Sequence, residues 1–110
     1  MDAEYGASLE SLSREPRVEI LRSGPGHTGP YVWWTWACVV VWRDAVTVEC
    51  LASKFAPTAA ERRPAERLLH RAGVRTAIWE RVRRGGTVHR VTVVVHGECD
   101  DGRRLTDQSR

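Results

Sequence analysis

Residues 31–42 read YVWWTWACVVVW, twelve positions without a charge that hold four of the chain's five tryptophans. In a strand, alternate side chains point to opposite faces. Val32, Trp34, Trp36, Cys38, Val40 and Trp42 then share one face, and Tyr31, Trp33, Thr35, Ala37, Val39 and Val41 share the other. Both faces are apolar, which is the pattern of a strand that has to be covered on two sides.

Upstream, RVEILR (17–22) alternates and leads into SGPGHTGP (23–30), a run of turn formers. That predicts a first strand and a hairpin loop with His27 solvated at its apex. Downstream, Arg43 and Asp44 make a polar turn before AVTVECLA (45–52), where Val46, Val48 and Cys50 alternate with Thr47 and Glu49. Three antiparallel strands are expected. A helix follows: Thr58 and Glu61 form a T-x-x-E capping box, Ala65, Leu68, Leu69 and Ala72 recur at helical spacing, and Gly73 stands at the C-terminal cap. Pro64 implies either an irregular first turn or a helix that starts near Arg63. The segment RTAIWERVRRGGTVHRVTVVV (75–95) predicts a hairpin turning around Arg84-Gly85-Gly86.

The expected fold is α+β, an antiparallel sheet in βββ-α-ββ order with one helix packed on one face. Residues 16–97 form the single domain. Residues 1–15 read as an acidic, flexible arm, either loose or with a short helix around Ala7–Leu12, and residues 98–110 as a polar tail.

At 110 residues, with 42% hydrophobic and 28% charged positions, the composition is that of a soluble globular chain with one modest core. The uncharged run Ser23–Trp42 opens with three glycines and two prolines, leaving too short an apolar stretch for the roughly 20 residues of a membrane span. The acidic N-terminus lacks the basic and apolar regions of a signal peptide. Three cysteines cannot all pair within one chain, so a reducing compartment, the cytoplasm, is the expected location.

Sixteen of the 17 basic residues are arginine. They are unevenly placed: residues 62–90 hold nine arginines and two glutamates, a local +7, whereas residues 1–15 carry a local −3. Arg63, Arg67 and Arg71 are spaced to form one ridge on the helix, with Arg62 beside it, and Arg81, Arg83 and Arg84 continue the charge into the hairpin. This basic surface suits nucleic-acid backbone or an acidic protein face, and it also has the plain reading of a solvated helix face. No helix-turn-helix, RNP signature or zinc finger is present.

Chemistry is sparse. The glycine-rich loop lacks the Gly-Lys-Ser/Thr ending of a P-loop. His96 and Cys99 make one H-x-x-C pair, half of what a structural zinc site needs. No nucleophile signature such as G-x-S-x-G occurs. Neither a catalytic residue, a metal nor a cofactor is assigned.

GPYVWWTW ahead of a long apolar strand, LLHRAGVRTAIWERV leading into a hairpin, and the small sheet-and-helix plan resemble the single-domain accessory proteins of phages and prophages, including anti-CRISPR inhibitors. That resemblance implies a non-enzymatic protein that occludes a surface of a host nucleic-acid-handling complex, and it carries over no individual residue. The expected contact residues are the basic ridge, Arg62, Arg63, Arg67, Arg71, Arg81, Arg83 and Arg84, and an apolar face of Tyr31, Trp33, Val39 and Val41 for a partner or a second copy. Direct nucleic-acid binding through the arginines and a homodimeric structural role are the alternatives. No membrane partner is expected.

Overall fold

A computed structural model describes residues 4–29, 32–53, 55–82 and 85–96, with the side chains of residues 81 and 82 outside that set. Six strands and one helix run in the order β1 (Tyr5–Arg14), β2 (Arg17–Pro25), β3 (Trp36–Trp42), β4 (Thr47–Leu51), α1 (Ala59–Arg71), β5 (Thr76–Val82) and β6 (Val88–Val94). The strands form one sheet whose spatial order follows the chain, β1-β2-β3-β4-β5-β6. Four of the five pairings are antiparallel, and β4 pairs with β5 in parallel.

Two expectations about the sheet need correction. Residues 5–14 are neither a loose arm nor a short helix: they form β1, paired along β2 from Tyr5–Pro25 to Arg14–Arg17 with a bulge between Ser11 and Ser13. The strand YGASLESLSR is half polar because it lies at a sheet edge, and only Ala7 and Leu9 reach the core. The sheet is also not wholly antiparallel. A helix carries the chain back between β4 and β5, so β5 runs in the same direction as β4, as crossover connections require. The expected C-terminal tail lies outside the described residues.

The helix begins where its cap is written. Thr58 accepts from the Glu61 backbone N–H at 3.2 Å while the Glu61 carboxylate accepts from the Thr58 N–H at 2.8 Å. The helix therefore starts at Ala59, not near Arg63, and Pro64 sits inside it, buried. Without an N–H, Pro64 leaves the Ala60 carbonyl without its usual intrahelical donor. At the other end Val74 donates to Leu69 O (2.9 Å) and Gly73 to His70 O (3.0 Å), the two bonds of a Schellman motif. Gly73 has φ +104°, a conformation that favours glycine.

The helix packs on β1 and β2, and Ala65 and Leu69 join Leu21, Trp36, Cys38, Val40, Val48, Cys50, Val74, Ala77 and Val95 in one core. Leu68 is only partly buried against it and Ala72 is exposed, so the apolar stripe is narrower than the spacing suggested. The core takes every second residue of β3, namely Trp36, Cys38 and Val40, and leaves Ala37, Val39 and Val41 half-buried on the opposite, helix-free face. Cys38 and Cys50 are buried free thiols on adjacent strands. The Cys38 thiol is held far above its ordinary pKa, first by its hydrogen bond with Cys50 and then by burial. A neutral, enclosed thiol is not a nucleophile. A thiol reagent is expected to leave Cys38 and Cys50 unmodified under native conditions and to modify both in denaturant; fast native labelling of either would contradict this packing.

Candidate functional site

The tryptophan stretch divides into two parts at Trp36. Thr35 N–H donates to Ser23 O at 2.9 Å, and β3 begins only at the next residue. Before it, the carbonyls of Val32 and Trp33 are both 3.1 Å from His27 Nδ1. Two acceptors facing one ring nitrogen require that nitrogen to carry the proton, so in the neutral ring Nε2 accepts from Ser8 Oγ, 2.7 Å away. His27 is accordingly 2% exposed, not solvated at a loop tip as its glycine-rich surroundings suggested. It holds two main-chain carbonyls of the segment that precedes β3, and the strand period does not extend upstream of Trp36.

The consequence is an aromatic lip. Trp33 is 72% exposed, Trp34 42% and Phe55 57%. Trp34 and Phe55 line an open depression of about 250 Å³ together with Thr35, Trp36, Ala37 and Ala52, and Trp33 is the residue before Trp34. Trp36 is buried, and its indole N–H donates to Phe55 O at 3.0 Å, which ties the Phe55 segment to the core. Trp42, at the far end of β3, is half-buried: Nε1 donates to Glu19 Oε1 at 2.7 Å, and the Arg17 guanidinium lies 3.7 Å over its ring.

Trp33 therefore precedes β3, and strand alternation does not join it to Val39 and Val41. Those two valines lie in β3, on the helix-free side of the sheet, where Val39 pairs with Ile20 and Leu51 and Val41 with Val18 and Glu49. Glu49 is 6% exposed there, bracketed by Arg43 and by Arg90, whose Nη2 is 3.4 Å away. Tyr31 lies outside the described residues.

The basic residues are likewise divided. Arg62 and Arg63 are exposed on the first half of α1. Glu61, their neighbour, accepts from Thr35 Oγ1 at 2.5 Å, and its carbonyl accepts from Ser23 Oγ at 2.8 Å. The helix start is thereby fastened to Thr35, the residue that follows Trp34. Arg67 is half-buried and Arg71 exposed, further along the helix, and both make contacts of their own. Arg81 belongs to β5, opposite His89; its side chain, like Arg83 and Arg84, lies outside the described residues. The lip and depression, with Phe55 and Ala52, were not legible as a unit in the sequence. The signal available was the proximity of His27, Gly29 and Pro30 to a tryptophan pair, a composition that interrupts a strand.

Among the described residues no group of three or more His, Cys, Asp or Glu side chains is placed to hold a metal ion, and no helix is long and apolar enough to cross a membrane. Searches against family models, curated proteins and solved structures found no match for this chain.

Proposed function

We propose that this chain is a non-enzymatic protein-binding module whose contact surface is made by the exposed Trp33, Trp34 and Phe55, with the exposed Arg62 and Arg63 of α1 as its basic contacts. The observation that carries this reading is the 72% exposure of Trp33 next to an apolar depression. Exposed tryptophan and arginine are the composition of interface hot spots, and adjoining apolar area marks contact surfaces. The Ser8–His27 hydrogen bond pairs a hydroxyl with an imidazole, as hydrolases do, but His27 is buried and neither residue lines the depression. A partner that belongs to a nucleic-acid-handling complex, as the likeness to phage accessory proteins implies, fits the exposed arginines of α1. The two buried free thiols suit a reducing compartment such as the cytoplasm.

The test is affinity purification of the tagged chain from bacterial lysate, with and without nuclease, beside Trp33→Ala and Arg62→Glu/Arg63→Glu. The expected result is a stoichiometric protein that survives nuclease. Removal of a hot-spot tryptophan should weaken that complex by about 30-fold or more. Because Trp33 is exposed, the same substitution should change stability by no more than about 0.5 kcal/mol. Normal capture by both variants, or recovery of nucleic acid alone, would sink the proposal.

A further inference from the structure

The sheet is open, so it has two edges, and they differ. The β1 edge is interrupted by its bulge and lies under the helix, two devices that blunt an edge. Among the described residues the β6 edge has neither: it pairs with β5 alone, in unbroken register from Thr76–Val94 to Val82–Val88. Its seven residues, VHRVTVV, include four valines and one full charge, Arg90. Val88 is 53% exposed and Val94 63%. A regular, valine-rich edge with its outer main-chain groups unpaired in the sheet is a template for another strand.

The sequence of β6 selects its occupant. Two copies of one strand can pair antiparallel only about a two-fold axis normal to the sheet, so one residue must face itself. Centring on Arg90 would set two guanidinium groups directly opposite, a destabilising pair. Centring on Thr92 would leave Val88 and His89 facing residues beyond the strand. Centring on Val91 pairs all seven residues: Val88 with Val94, His89 with Val93, Arg90 with Thr92, and Val91 with itself. That register brings the two exposed valines of the strand together and keeps the cations apart.

The geometry points to a homodimer formed by antiparallel β6–β6 pairing about Val91, in which two six-stranded sheets continue as one. The axis is normal to the sheet, so both helices lie on one side and the helix-free faces carrying Val39 and Val41 join on the other. This assembly leaves the aromatic lip of each copy to a different partner, and it stands or falls independently of that reading.

The test is sedimentation velocity of the full chain at concentrations rising to about 1 mM, the weak end of specific association. The monomer is 12.4 kDa, and the expected species doubles that mass. Thr92→Arg places a cation against Arg90 twice in the dimer and should weaken it by about tenfold. Thr92→Glu places a carboxylate there and should strengthen it. Thr92 is exposed, and far-ultraviolet circular dichroism should show both variants folded. Opposite shifts of the two variants support the pairing. A monomer at every concentration, equal behaviour of the two variants, or dissociation by Trp33→Ala would overturn it.

Discussion

Trp36→Ala should destabilise the fold by about 3–5 kcal/mol, the range for removing a buried aromatic side chain. Trp36 is 2% exposed and its ring centroid lies 5.7 Å from that of Trp79, tilted by 46°. Truncation opens a cavity between β3 and β5 that neighbouring valines and cysteines are too short to fill. It also removes the donor to Phe55 O, and a carbonyl left without its partner adds to the loss. Small domains have only about 5–15 kcal/mol of stability in total, so a large part of it disappears. Trp36→Phe separates the two contributions: the ring is mostly replaced, the hydrogen bond is not, and roughly 1–2 kcal/mol should remain lost. Denaturant unfolding followed by circular dichroism measures each. Trp33→Ala, three residues away, is the internal control, because its side chain is solvated. Equal effects at Trp33 and Trp36 would mean that the strand does not begin where the Thr35–Ser23 hydrogen bond places it.

The contrast between those two tryptophans also marks how far the sequence could be read. Elements whose signals are local were legible. The helix is bounded by Thr58, Glu61 and Gly73, and its cap and Schellman bonds are those its residue types dictate. The β5–β6 hairpin follows from two runs of β-prone residues, TAIWERV and the valine-rich VHRVTVV, about a glycine pair. Elements whose signals are tertiary were not. β1 has too few apolar residues to announce itself, and Ala7 and Leu9 have meaning only once α1 covers them. The parallel β4–β5 pairing had a usable sign, a capped helix between two strands, which is the crossover pattern. The site failed for a more specific reason. Period-two alternation assigned Trp33 to the face of Val39 and Val41, but β3 begins only at Trp36, and His27 holds the Val32 and Trp33 carbonyls. A buried side chain 6 residues upstream of Trp33 thus holds the segment that carries the two exposed tryptophans. The seven arginines grouped by charge likewise are not shown as one surface: Arg62, Arg63 and Arg71 are exposed on α1, Arg67 is half-buried, and the side chains of Arg81, Arg83 and Arg84 lie outside the described residues.

Gly6→Ala should cost about 3 kcal/mol or more, at the upper end for steric overpacking, and should disturb the lip although residue 6 is not part of it. A Cβ at Gly6 would stand 2.1 Å from His27 O and 3.3 Å from His27 C. Both atoms are main chain, so no rotamer change relieves the contact; either β1 or the His27 segment must move by more than 1 Å to reach ordinary contact near 3.4 Å. Neither is free to do so. Gly26 N–H donates to Glu4 O at 2.7 Å, Tyr5 and Gly6 are in register with Pro25 and Gly24, and Ser23 Oγ is 3.1 Å from Gly6 O. Moving His27 lengthens its bond to Ser8 and its two bonds to the Val32 and Trp33 carbonyls, which anchor the main chain that carries Trp33. Partner capture should therefore fall even at temperatures where the variant remains folded. Gly29→Ala is the matched control, since a Cβ there meets nothing within 4 Å, and it should shift stability by no more than about 0.5 kcal/mol. Thermal unfolding of the pair, with fluorescence quenching by acrylamide to report Trp33 and Trp34 exposure, reads both effects. Unchanged quenching in a destabilised Gly6→Ala protein would show that the lip is held by something other than His27.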